Sequence, residues 1–275
     1  MPESAQRFDS SNSINIQKVV SGLKITFLGT GTSQGVPVIG CGCAVCSSLD
    51  FRDKRLRTSV HLNINNLSLL IDTGPDFRQQ MLREQISKLD GILFTHAHRD
   101  HTAGLDDVRA FNFMQHMSMP VYGTATTLQQ LKNDFAYIFG PKDYPGLPQV
   151  DLHEISAEPF NFQSVAITPL LVYHFKMPVL GFRIHNFSYI TDCNHIPEET
   201  LEKLQGTETL VLNALQREQH ISHFNLEEAI RMVGVIKPKQ AYFTHISHKL
   251  GLHSDVQKEL PSHIHLAYDG LRLSL

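Results

Sequence analysis

The residues Thr95-His96-Ala97-His98-Arg99-Asp100-His101 directly follow the apolar run Gly91-Ile92-Leu93-Phe94, and between His96 and His101 they hold three imidazoles and a carboxylate. So many donors at the end of a buried-strand pattern need a partner, and a metal ion satisfies them together. A histidine-rich surface loop would not need the apolar strand before it. From an extended segment, His96 and His98 can aim two ring nitrogens in one direction, while Asp100 and His101, one step further round the turn, can face a second ion. The spacing predicts two metals.

Composition limits what can surround such a centre. The 275 residues are 41% hydrophobic with no shift that marks a second domain, so residues 1–21 read as a polar N-terminal tail and 22–275 as a single domain. The formal net charge of −3 and pI of about 6.6 argue against a polyanion as the main partner. A local basic run, Phe51-Arg52-Asp53-Lys54-Arg55-Leu56-Arg57, reads as a solvated charged face. The first residues lack an apolar run of signal-peptide length, and no segment reaches the length of a membrane span. A soluble cytoplasmic protein with reduced cysteines is expected, with no membrane partner. Its oligomeric state is open, a homodimer included.

Apolar and β-branched content predicts strands over 23–28, 59–64, 68–71, 91–94, 165–171, 181–184, 209–212 and 240–243. Helices are expected over 77–84, 106–114, 125–138, 198–204 and 226–235, the last opened by a capping box of Asn225 and Glu228. This alternation gives an α/β fold class and no more. The segment 139–148, rich in Gly and Pro, reads as a surface loop that could border a substrate pocket.

The H-x-H-x-D-H pattern resembles the signature of the metallo-β-lactamase superfamily of binuclear metallohydrolases. The resemblance runs through Phe27-Leu28-Gly29-Thr30-Gly31-Thr32 and Leu70-Ile71-Asp72-Thr73-Gly74, and continues to His174, to Asp192 in Tyr189-Ile190-Thr191-Asp192, and to His245 in Phe243-Thr244-His245. It implies an αββα four-layer sandwich, the metallo-β-lactamase fold. It also implies that His96, His98 and His174 hold one divalent ion and Asp100, His101 and His245 the other, with Asp192 between them. Imidazole suits zinc and carboxylate suits manganese, so either metal is compatible. Asp72 is read as orienting the ligand loop, or equally as opening a turn before Gly74-Pro75.

A second cluster, Cys41-Gly42-Cys43-Ala44-Val45-Cys46, holds three of the four cysteines. Three thiolates this close suit a closed tetrahedral zinc site completed by a histidine; a disulfide or free thiols are the alternatives. The pattern is similar to the PhnP-type cyclic phosphodiesterases, in which the fourth ligand lies three residues beyond the last catalytic histidine. That place belongs to His248 here, implying one structural zinc on Cys41, Cys43, Cys46 and His248. The same resemblance implies that His223 is the general acid for the leaving oxygen, with His220 its competitor for the role; Cys193 reads as a small buried residue.

Three functions compete at this point. The first is a binuclear metal-dependent phosphodiesterase that uses a metal-activated water on a small, cyclic phosphodiester, with Asp100 and His223 taking part in the chemistry. The second is a ribonuclease Z-like endonuclease for precursor tRNA, weakened by the cysteine cluster, by the lack of a long tRNA-gripping insertion and by the absence of a basic surplus. Glyoxalase-like thioesterases and lactonases fit less well, because the His174 region lacks the T-P-G-H context of that branch. The third, a non-catalytic metal-binding protein, is opposed by the complete set of ligands.

Overall fold

The computed structural model describes residues 22–140, 144 and 146–275, so the expected tail at 1–21 and part of the loop at 139–148 lie outside the described residues. Among the described residues, fourteen strands fall into two sheets. The first sheet is built from β1 (Lys24–Gly29), β2 (Ser59–Ile64), β3 (Leu67–Ile71), β4 (Gly91–Leu93), β5 (Met119–Gly123) and β6 (Val150–Glu154). The second contains β7 (Phe160–Phe162), β8 (Val165–His174), β9 (Met177–Ile184), β10 (Phe187–Tyr189), β11 (Thr209–Asn213), β12 (Gln240–Thr244) and β13 (Ile264–Leu266). The last strand, β14 (Arg272–Ser274), returns to pair with β1, so the first sheet runs β14-β1-β2-β3-β4-β5-β6 and the second β13-β12-β11-β10-β9-β8-β7.

Each sheet changes pairing mode in its middle. Antiparallel pairing gives way to parallel pairing at β3 in the first sheet and at β10 in the second. In open α/β sheets, ligand crevices form outside the carboxyl ends of strands at such switch points. The loops after β3, β4, β10 and β12 carry Asp72, the His96–His101 segment, Asp192 and His245.

Alternation along the strands divides the apolar side chains among three cores. Between the sheets, Ile25, Phe27, Leu62 and Leu69 of the first meet Ile167, Phe182, Tyr189 and Val211 of the second. Outside the first sheet, Leu70, Ile92 and Val121 pack against Phe77 and Met81 of the helix Phe77–Glu84 and Phe111 of the helix Arg109–Gln115. Outside the second, Leu210, Leu212 and Phe243 pack against Ala229 and Val233 of the helix Leu226–Ile236. These layers form the expected αββα sandwich. The Asn225–Glu228 capping box is present and starts that last helix.

Several elements depart from the expectation. β8 and β9 extend beyond the expected 165–171 and 181–184 and close a hairpin at Phe175-Lys176, with His174 at the end of β8. The expected helix over 106–114 starts as a 3-10 turn, Leu105–Val108. The one expected over 125–138 breaks at Phe135 into two segments. No helix among the described residues is long and apolar enough to cross a membrane.

Candidate metal centre

Asp72, at the end of β3, is fully buried in a left-handed backbone conformation, φ 65°. Its carboxylate organises the histidine segment opposite. Oδ1 accepts from the Thr95 backbone N–H at 2.9 Å, and Oδ2 accepts from Thr95 Oγ1 at 2.8 Å and from His101 Nδ1 at 2.7 Å. Because the Thr95 hydroxyl gives its hydrogen to Asp72, its oxygen accepts from His96 Nδ1 at 2.9 Å. Both rings are thereby left with Nε2 as the free nitrogen. His174 is set in the same way, its Nδ1 donating to the Ser222 carbonyl at 2.9 Å.

The segment can approach Asp72 only because glycines line the gap. A Cβ on Gly74 would lie 2.3 Å from the Asp100 carbonyl oxygen, and one on Gly104 would lie 2.2 Å from that of Gly74. The Gly104 N–H donates to Thr73 O at 2.8 Å and ties the short helix Arg99–Thr102 to the loop after β3.

Two loops of the second sheet bring the remaining groups. Asp192 and His245 follow β10 and β12 with φ 52° and 56°, and both are almost fully buried. Non-glycine residues held there signal a conformation imposed by the surroundings. Asn213, at the end of β11, fixes the Asp192 loop: its Oδ1 accepts from Cys193 N–H and its Nδ2 donates to Cys193 O, each at 3.0 Å. Cys193 itself is buried, its thiol directed to the same Oδ1.

The expected residues lie near one another, but His96 and His98 approach the others only through their rings and fall in neither compact donor group. Donor atoms of Asp100, His101, Asp192 and His245 lie within 4.8 Å of one another, as do those of His174, Asp192 and His223. Asp192 is common to both groups. His101 Nε2 is 3.3 Å from carboxylate oxygens of Asp100 and of Asp192, and His245 Nδ1 is 3.1 Å from Asp192 Oδ2. The His98 ring lies 4.6 Å from that of His96 and 5.2 Å from that of His174, centroid to centroid. His223 joins His174 and Asp192, whereas His220 is exposed, its ring 5.1 Å from that of His223.

This donor set fits divalent cations on an observation of its own. His96 Nε2, His101 Nε2, His223 Nδ1 and His245 Nδ1 are buried and make no hydrogen bond. Each such atom left without a partner costs about 1–3 kcal/mol. Electrostatics agree: burial opposes ionisation of Asp192, yet the His245 and His101 imidazoles outweigh it and hold the carboxyl well below its usual range. Burial also opposes charge on His101, but Asp100, Asp192 and Asp72 overcome it and hold the imidazole's pKa well above its ordinary value. A bound cation would displace that proton.

The cysteine cluster is equally compact. Cys41, Cys43 and Cys46 Sγ lie 3.3, 3.4 and 3.5 Å from His248 Nδ1, and all four cysteines of the chain are free. Tetrahedral zinc with ordinary Zn–S and Zn–N bonds sets sulfur and nitrogen ligands roughly 3.6 Å apart, so the spacing fits a three-cysteine, one-histidine ligand set. The Cys46 backbone N–H, followed by His248, draws the Cys43 thiol down to about 6, while burial pushes that of Cys46 up to about 11. The loop after β12 that carries His245 runs on to His248. On the way, Ile246 N–H donates to Thr30 O at 2.9 Å and Thr32 N–H to Ile246 O at 3.1 Å. The F-L-G-T-G-T motif therefore stitches the two centres together.

Some supporting residues gave no warning in the sequence. Asn213 could have been noticed as an amide closing an apolar strand; the Ser222 carbonyl carries no signal at all.

The comparisons agree with this geometry. The beta-lactamase superfamily domain profile matches residues 68–246. A crystal structure described as a new diphosphatase from the PhnP family superposes with a TM-score of 0.88 at 41% identity, covering 93% of this chain and 98% of that one. The chain therefore belongs to the metallo-β-lactamase superfamily of metal-dependent hydrolases, in its PhnP-like branch. A Porphyromonas gingivalis protein named octanoyltransferase is 39% identical over 252 residues, 90% of this chain and 51% of its own. A Methanococcus maripaludis ribonuclease Z is 28% identical over 170 residues, 56% of this chain and 49% of its own. The chain spans about half the length of these curated relatives.

Proposed function

We propose that this chain is a metal-dependent phosphoesterase that hydrolyses a small phosphodiester, a cyclic one foremost. The observation that carries the reading is the cluster of Asp100, His101, Asp192 and His245 donor atoms, with His174 and His223 on the other side of Asp192 and unpartnered imidazole nitrogens, that of His96 included, around it. His96, His98 and His174 would hold one divalent ion and Asp100, His101 and His245 a second, zinc or manganese, with Asp192 shared. Such a pair supplies Lewis-acid polarisation of phosphoryl oxygens and a water acidified towards neutrality.

The chain's own residues do the rest. Asp72 and Ser222 hold three imidazoles with Nε2 free, and Asp100 presents its carboxylate beside His101 from the first turn of its short helix. His223 would hand its proton to the leaving oxygen. Its Nδ1 lies 3.9 Å from Asp192 Oδ1, and burial brings the imidazole down to about 3 in the free protein. An anionic phosphate seated beside it would oppose that fall. Cys41, Cys43, Cys46 and His248 would hold a structural zinc, and their reduced thiols suit the cytoplasm.

A linear diphosphate linkage is the second reading, favoured by the diphosphatase described at 41% identity. The ribonuclease Z reading rests on lower identity over a shorter part of the chain. A panel of bis(p-nitrophenyl) phosphate, a cyclic nucleotide, a ribose cyclic phosphate, a dinucleoside diphosphate and precursor tRNA separates them. Turnover of the small esters supports the proposal; cleavage of tRNA alone overturns it.

A further inference from the structure

The run 51–57 reads in the sequence as a solvated charged face, yet Arg55 is only 4% exposed and its backbone lies against the motif that follows β1. A Cβ on Gly31 would meet the Arg55 carbonyl oxygen at 2.8 Å. The buried guanidinium donates to neutral groups: Nη1 to Thr30 Oγ1 at 2.8 Å and to Ala267 O at 2.6 Å, and Nη2 to His253 Nδ1 at 3.2 Å. The Thr30 hydroxyl then donates to Asp269 Oδ1 at 2.8 Å, while Asp269 Oδ2 accepts from the Leu56 N–H at 2.8 Å. One threonine hydroxyl thus stands between a buried cation and a carboxylate whose side chain is 7% exposed.

Stability does not account for this arrangement. Burial draws Arg55 down to about 10 and pushes Asp269 up to about 6, and buried ionic groups are often replaceable by apolar side chains without loss of stability. What the arrangement fixes is position. Gly31 N–H donates to Leu56 O at 2.8 Å and Thr58 N–H to Gly31 O at 3.1 Å on one side of the motif. On the other, Thr30 O accepts from Ile246 N–H at 2.9 Å and Ile246 O from Thr32 N–H at 3.1 Å. Residues 30–32 are therefore clamped between 56–58 and Ile246. Ile246 directly follows His245, whose φ of 56° is imposed by its surroundings.

Resting on the metal-centre reading for what His245 binds, we propose that Thr30 is a positioning residue for that histidine: Arg55 and Asp269 lock its side chain, and its carbonyl holds the main chain that carries the ligand. Thr30 touches neither metal nor substrate. Its support reaches one ion of the pair, that of Asp100, His101 and His245. His96 and His174 have separate supports in Thr95 and Ser222, so the ion assigned to them is insulated from Thr30.

Thr30→Val keeps the shape of the side chain and removes the hydroxyl, whereas Thr30→Ser keeps the hydroxyl. In competition with a chromogenic chelator, Thr30→Val is expected to hold one labile ion about 10-fold more weakly and the other unchanged, with wild-type affinities restored in Thr30→Ser. Hydrogen exchange of the peptide 244–248, which reports the Ile246 amide, is expected to quicken in Thr30→Val and not in Thr30→Ser. A Thr30→Val protein that melts earlier yet keeps both affinities and the Ile246 protection has lost stability alone, and overturns the proposal. Equal weakening of both ions overturns it too. If Thr30→Val does not fold, Arg55→Lys, which keeps the charge and gives up the guanidinium fork, is read by the same measurements with the same expected and contrary results. If the wild-type protein binds no labile ion, the metal-centre reading fails, and exchange at Ile246 still decides whether Thr30 holds the His245 segment.

Discussion

Asp72 Oδ2 and His101 Nδ1 lie 2.7 Å apart with both side chains sealed from solvent, and the same oxygen receives the Thr95 hydroxyl that fixes His96. One carboxylate thus sets the free nitrogen of two imidazoles. Asp72→Asn keeps the shape but removes the charge and replaces one accepting oxygen with an N–H donor, so metal affinity or turnover should fall about 10- to 100-fold while the fold persists. Competition against a chromogenic chelator measures it. Unaltered affinity and turnover would show that the contact only stabilises the loop.

His223 and Asp192 share a group yet should behave differently when removed. His223→Ala is expected to slow turnover about 10²- to 10⁴-fold with its metal content kept, whereas Asp192→Ala should lose metal. Metal analysis of the two purified variants decides. Equal loss of metal in both would refute the separate roles.

The cysteine cluster should act at a distance. Ile246, between His245 and His248, exchanges backbone hydrogen bonds with Thr30 and Thr32, so a loosened cluster transmits its disorder to the active-site rim. Cys46→Ser is expected to lower the melting temperature and, below it, reduce kcat at saturating metal. A variant that melts earlier but turns over at the wild-type rate when folded would show that the two centres are independent.

Acid sensitivity has a source remote from both centres. Burial pushes His61 down to about 4, and its Nε2 contacts Ser68 Oγ at 2.7 Å. Between pH 6.5 and 4 the unfolded chain therefore binds a proton at His61 that the folded chain refuses. The contribution is fully present above pH 6.5 and is lost as the pH falls towards 4. Because the ring is partly exposed, the loss is on the order of 2 kcal/mol. Urea midpoints measured across that window should fall less steeply in His61→Gln than in the wild type. Parallel curves would contradict the assignment.

What could be read without coordinates was what local chemistry writes into neighbouring residues. His96 to His101 follow one strand, Asn225 and Glu228 are three positions apart, and Cys41 to Cys46 lie in a single loop; each pattern repeats in the structure. β5 escaped because Pro120 and Gly123 lower its strand signal, although Met119 and Val121 are fully buried between β4 and β6. The supports of the site escaped for another reason. Ser222 reaches His174 through a backbone carbonyl across 48 positions, and Asn213 grips the main chain of Cys193; neither contact depends on a recognisable local pattern. Asp72 was ambiguous between a turn and a support until Thr95 and His101 were seen against it.

The most direct measurement is metal content per chain, by plasma mass spectrometry, for the wild type and for Asp192→Ala after exposure to zinc and manganese and brief chelation. The wild type should hold two chelator-labile divalent ions and one retained zinc, and Asp192→Ala the retained zinc alone. A wild-type protein that binds a single ion, or a variant that still binds the labile pair, would contradict a centre built around a shared Asp192.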